Sequence, residues 1–316
     1  MLPPKLLARV LDACRTAFRV PPDAEVTSEA NPGTADGARF AALRALGVNR
    51  LSMGVQSFDD AELRWLGRIH TADEAAAAYE AARAAGFANI NLDFMFGLPG
   101  QSPATWAATL ARAVSLRPEH LSLYSLTVEQ GTPLATRVSR GLSPAPDDDL
   151  AAELYALAAD RLAAAGYDHY EISNWARTSP ASGLQCQHNL VYWRREPYLG
   201  FGPGAHSFEN GRRWWNVRPV PQYIERIRDG VSPERDGETP DRRTAMGEMM
   251  MLGLRLLDEG VSEARFSACF GVTLAEAFGP QITSLVGRGL LARLPDRIRL
   301  TPEGRLLGNQ VFAEFF

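Results

Sequence analysis

Cysteine is scarce: Cys14, Cys186 and Cys269 are the only three in 316 residues, and no two are close in sequence. Single dispersed thiols exclude a disulfide framework and fit a reducing compartment. The opening stretch, MLPPKLLARVLDACRTAF, lacks the long apolar segment with a small-residue cleavage site that a secretory signal needs. No run approaches the roughly 18 apolar residues of a membrane-crossing helix, so the cytoplasm is the expected location. Excess positive charge is also missing, with a formal net charge of −4. Nucleic-acid binding therefore has no electrostatic support. No internal repeat or low-complexity segment interrupts the chain.

What is present is ordinary globular material, 46% hydrophobic and 22% charged residues, enough for a sizeable core. Residues 5–19 read as an amphipathic helix with Leu6, Leu7, Val10, Leu11 and Phe18 on one side. Strand patterns at 24–33, 49–58, 89–100 and 120–129 then alternate with helical patterns at 36–46, 71–86 and 102–116. Such alternation predicts a parallel sheet with helical crossovers. Polar residues fall where these strands are expected to end: Glu29 and Asn31, Gln56, Asp93 and Thr127. In α/β folds that edge collects ligands, although each residue taken singly also suits a turn or cap.

The texture changes after residue 130. A turn-rich linker at 139–149, a helix at 148–165 and a strand at 167–176 lead into a glycine- and aromatic-rich tract at 183–217. Three helical patterns (241–258, 261–269 and 274–288) and a hairpin around Pro295-Asp296 resemble a winged-helix module. With an acidic balance, that module is expected to pack or cover rather than bind DNA. The division that follows is 1–146, 147–240 and 241–316.

Two constellations carry chemistry. Glu29, Gln56, Arg68 and Asp93 combine two carboxylates, an amide and a guanidinium. Carboxylates accept from ribose hydroxyls or an amino group, and arginine forks onto a carboxylate, so the set suits a polar nucleoside. Asp93 lies within NLDFMFGLPG, and a carboxylate flanked by apolar residues needs a partner. The second is CQHNLVYW, residues 186–193, which gathers Cys186, His188, Tyr192 and Trp193. It suits a metal, a flat aromatic ligand or a filled core. His206 follows a Gly-Pro-Gly turn and is expected to be structural. His70, His120 and His169 show no constellation in the sequence.

The blocks SEANPG, RLSMGVQSFDDAELRWLGRIH, NINLDFMFGLPGQ and HLSLYSLTVEQGTPL resemble the radical S-adenosylmethionine family, in its oxygen-independent coproporphyrinogen III oxidase-like branch. The resemblance covers nearly the whole chain. It implies an α/β fold: an incomplete parallel (β/α)6-type barrel over 1–146, completed over 147–240, with the winged-helix-like α+β module at 241–316. It implies that Glu29, Gln56, Arg68 and Asp93 contact S-adenosylmethionine. The family's C-x-x-x-C-x-x-C motif for a 4Fe–4S cluster, and the Gly-Gly-Thr-Pro turn behind it, do not occur in this sequence. The chain is accordingly expected to begin after the first two barrel strands, to leave the EVTSEA strand as an exposed edge, and to hold little or no cluster. The segments YEISNWA and HNLVYW resemble the heme chaperones of the HemW branch. That implies heme binding by His188, Asn189, Tyr192 and Trp193, with His188 as the iron ligand or Cys186 as the alternative. It also implies delivery of heme to a membrane-bound respiratory protein. The alternative is oxidative decarboxylation of coproporphyrinogen III by the radical chemistry of the family.

Overall fold

A computed structural model describes residues 3–34, 36–178 and 183–316. The chain divides into two compact units, Met1–Cys186 and Gln187–Phe316.

The first unit runs α1 (Pro4–Ala17), β1 (Thr27–Ala30), α2 (Gly37–Ala45), β2 (Arg50–Gln56), α3 (Asp60–Trp65), α4 (Ala72–Ala84), β3 (Ile90–Phe96), α5 (Pro103–Ser115), β4 (His120–Ser125), α6 (Pro133–Ser139), α7 (Asp148–Ala164), β5 (Tyr167–Glu171) and β6 (Asn174–Arg177). Local chemistry sets these limits. Thr71 and Glu74 close a capping box on α4, Ser102 and Thr105 close one on α5, and Pro103 occupies the first turn of α5. The six-stranded sheet has the order β1-β2-β3-β4-β6-β5. Strands β1 to β4 are parallel, as the alternation predicts, and β1 forms an edge.

Two elements differ from expectation. The segment 167–176 is a hairpin rather than one strand: the Glu171 carboxylate accepts from the Ser173 amide at 3.0 Å and from Asn174 Nδ2 at 2.6 Å, which closes the turn. The returning strand β6 pairs antiparallel with β4 and ends the parallel run. Ahead of the linker, Thr132 caps the short helix α6, which the sequence pattern did not signal.

Side chains alternate across the strands, and here the alternation separates chemistry. One face of the sheet carries Leu51, Met53, Val55, Leu92, Phe94, Leu121, Leu123 and Trp175, all buried in a core with Phe40, Tyr79, Trp106, Leu110, Leu154 and Leu162 from the helices. The opposite face carries Glu29, Ser52, Asn91, Asp93, His120, Ser122 and Asn174, held abreast by the strand register.

The second unit runs α8 (Gln187–Trp193), β7 (His206–Glu209), β8 (Arg212–Asn216), α9 (Val220–Arg228), β9 (Glu234–Glu238), α10 (Arg242–Gly253), β10 (Val261–Ser262), α11 (Glu263–Phe270), α12 (Leu274–Gly287), β11 (Leu291–Arg293), β12 (Arg297–Leu300), α13 (Pro302–Leu306) and α14 (Gly308–Ala313). Two small antiparallel sheets, β7-β8-β9 and β10-β12-β11, organise it. The helices α10 to α12 and the β11–β12 hairpin surround Met250, Leu254, Phe266, Phe278, Leu285 and Phe315. Gly260 is obligatory there: its φ is +57°, and a Cβ would sit 2.1 Å from the Ile298 carbonyl oxygen. Among the described residues no helix is long and apolar enough to cross a membrane.

Candidate functional site

The polar sheet face of the first unit carries Glu29 and Asp93, and Gln56 closes β2. Asp93 lies in the middle of β3 rather than at its end, so the strand rather than a turn fixes it. Its Oδ1 accepts from Asn91 Nδ2 at 2.7 Å and its Oδ2 from Ser52 Oγ at 3.1 Å. Burial pushes its pKa up to about 6 despite these donors, and the nearby Glu29 carboxylate adds to the rise. Glu29 is exposed near the end of β1, in register with Ser52.

Gln56 closes β2 with a left-handed backbone, φ 71°. That conformation costs a non-glycine residue about 1–2 kcal/mol. The amide turns back over Gly54, where a Cβ would lie 2.8 Å from Gln56 Nε2 and 3.3 Å from Asn31 Oδ1. Gly54 thus leaves room for the Gln56 amide and the Asn31 carbonyl, which a side chain at that position would displace. Arg68 sits on the loop between α3 and α4. Packing of Ile69 and His70 against Gly33, together with a 3.1 Å hydrogen bond between His70 Nε2 and the Val55 carbonyl, anchors that loop beside the ends of β1 and β2. The Arg68 side chain takes no partner among the described residues.

The donor set therefore fits S-adenosylmethionine: two carboxylates for hydroxyl or ammonium groups, a guanidinium for a carboxylate, and an amide at the end of β2. A cluster cage does not fit. Cys14 is on α1, Cys186 is buried, Cys269 is on α11 of the other unit, and no three metal-ligating side chains converge among the described residues.

In the second unit, α8 divides the aromatic motif between two faces. His188 is exposed, and its ring meets Tyr192 edge-on with centroids 4.9 Å apart. Tyr192 in turn meets Tyr198 at 4.6 Å. The i, i+4 spacing that joins His188 to Tyr192 also places Asn189 and Trp193 together on the adjoining face. The Arg255 guanidinium lies 4.2 Å from the Trp193 ring centroid. Trp193 also lines a cavity of about 170 Å³ with Met249, Leu256, Val261 and Arg265, and its buried Nε1 has no hydrogen-bond partner among the described residues. An exposed imidazole backed by aromatic edges fits a heme iron. Cys186 is placed differently: it ends the first unit, buried, with its Sγ 3.7 Å from Glu25 Oε1. His206 is exposed on β7 and stacks on Trp215.

Sequence reasoning missed the residues that hold Asp93. His120, given no role from its spacing, is fully buried at the centre of a network with Asn91 and Tyr170; Ser122 joins Asn91 to Asn174. The signal was there as period-two polarity, S-x-G-x-Q, N-x-D and H-x-S-x-Y, in strands whose other positions are apolar.

Comparison with known proteins agrees with this architecture. Residues 1–113 match the radical SAM superfamily and residues 241–307 match the HemN C-terminal domain. The heme chaperone HemW of Bacillus subtilis is 38% identical over 98% of this chain and 80% of its own length. HemW of Mycobacterium tuberculosis is 40% identical over 96% of this chain and 75% of its own. Among solved structures, coproporphyrinogen III oxidase (HemN) from Escherichia coli superposes with a TM-score of 0.81 at 23% identity, over 99% of this chain and 74% of that one, which establishes the fold. The chain belongs to the radical S-adenosylmethionine superfamily and, within it, to the family of those HemW proteins.

Proposed function

We propose that the protein is a cytoplasmic heme chaperone. It binds heme on α8 and S-adenosylmethionine on the polar sheet face of the first unit, and it passes heme to a respiratory protein of the membrane. The observation that carries this reading is His188, an exposed imidazole on a helix where Tyr192 supports its ring. Bound heme supplies an iron with open axial positions and two flat apolar faces. His188 donates a nitrogen lone pair to that iron, and Tyr192 covers part of the macrocycle. Asn189 and Trp193 complete the contact set from the neighbouring face of the same helix. Cargo ligated by one exposed imidazole is releasable, which suits transfer more than permanent tenancy.

On the sheet, Glu29 and Asp93 accept from hydroxyl or ammonium groups of S-adenosylmethionine, Gln56 supplies an amide, and Arg68 pairs with its carboxylate. Relatives named as heme chaperones support this reading over porphyrinogen decarboxylation.

The test is a hemin titration of the purified chain followed in the Soret band. The wild type is expected to give a saturable shift, and His188→Ala to weaken the apparent affinity at least about tenfold, as loss of about 1.4 kcal/mol of ligation would. An unaltered titration in the variant removes His188 from the iron.

A further inference from the structure

Four hydrogen bonds join Asp93 to the residue that precedes α8, and their polarity is determined. An ionised Asp93 only accepts, so Asn91 must present its NH2 group, with Nδ2 2.7 Å from the carboxylate and 2.7 Å from Ser52 Oγ. Asn91 Oδ1 is then an acceptor, and His120 Nδ1, 2.6 Å away, carries a proton. Complete burial, with the Arg50 charge nearby, holds the His120 pKa well below its ordinary value and keeps the ring neutral. Its Nε2 is therefore bare and accepts from the Tyr170 hydroxyl at 2.8 Å. The Tyr170 oxygen in turn accepts the backbone N–H of Cys186 at 3.2 Å. Every donor points the same way, from Cys186 through Tyr170, His120 and Asn91 to Asp93.

We propose that this one-way chain couples the two ligands: occupation of Asp93 by a nucleoside hydroxyl loosens the backbone at Cys186 and weakens heme binding, with His120 and Tyr170 as positioning residues. The proposal rests on the reading of both sites given above. Donors sharing one carboxylate compete, so a ligand hydroxyl on Asp93 weakens its bond from Asn91. Bonds in series polarise one another, and the loss is passed to His120, Tyr170 and the Cys186 amide. In sequence, Cys186 stands one residue before α8 and two before His188. A chaperone that must let its cargo go thereby gains a release signal.

Linkage requires the effect to be reciprocal. S-adenosylmethionine is expected to raise the hemin Kd of the full chain at least about fivefold, and hemin to raise the S-adenosylmethionine Kd by the same factor. In Tyr170→Phe, which keeps the ring and deletes the hydroxyl, both ratios are expected to fall to about one. A ligand-free readout accompanies this: hydrogen exchange at the Cys186 amide is expected to quicken in Tyr170→Phe and in Asp93→Asn. Unchanged exchange in both variants overturns the chain of bonds itself. Coupling of the opposite sign, none in the wild type, or equal coupling in Tyr170→Phe overturns the proposal. Failure of the wild type to bind either ligand overturns the reading of the sites and the coupling with it, while the exchange result stands apart.

Discussion

Asp93 shows how one buried strand position ties stability to pH. Burial raises its folded-state pKa from 3.8 to about 6. Between those values the folded chain holds a proton that the unfolded chain has released, so stability falls as pH rises through that window and is level above it. Glu62, also raised by burial and hydrogen-bonded to Ser57 just past the end of β2, works in the same direction. Subtracting an Asp93→Asn variant isolates Asp93: the denaturation midpoint of the wild type is expected to fall relative to that of the variant as pH rises from 4 to 6. Chemical denaturation at several pH values measures it, and a pH-independent difference contradicts the raised pKa. The residue's environment was only half legible. NLDFMFGLPG announces a carboxylate among apolar neighbours, whereas the Asn91–His120–Tyr170 chain depends on strand register and on a hairpin that no local spacing reveals.

At the scale of elements, α8 determines what the aromatic motif can do. Leu190 is buried and ties the helix to its unit, His188 and Tyr192 share an outer face, and Asn189 and Trp193 share the next. Two truncations separate these roles. Tyr192→Ala is expected to weaken hemin binding severalfold with little change in melting temperature. Leu190→Ala is expected to destabilise the fold by about 2–5 kcal/mol, the usual cost of emptying a buried leucine site. Thermal melts beside hemin titrations distinguish them. Equal loss of stability in both variants contradicts the outer-face placement of Tyr192. The parallel strands and their helices were legible because caps, prolines and glycines mark their ends. The β5–β6 hairpin was not, since its turn is made by a Glu171 side chain bonding ahead rather than by glycine or proline. The sheet β7-β8-β9 lay unread within a tract whose glycines and aromatics obscure period-two alternation.

Over the whole molecule, composition and the ordered motifs make the class visible, because a (β/α) architecture needs long alternating segments that leave a periodic trace. Glu29 and Asp93 share one sheet face with their register partners, and His188, the candidate iron ligand, belongs to the other unit. The three thiols do not assemble a cage among the described residues, and the proposed function is heme capture by His188. Its most direct test is the axial-ligand signature of the ferric heme complex, by electron paramagnetic resonance and magnetic circular dichroism, in the wild type, His188→Ala and Cys186→Ser. Imidazole ligation in the wild type and in Cys186→Ser, lost in His188→Ala, is the expected result. Thiolate ligation that disappears in Cys186→Ser, or one spectrum common to all three proteins, contradicts it.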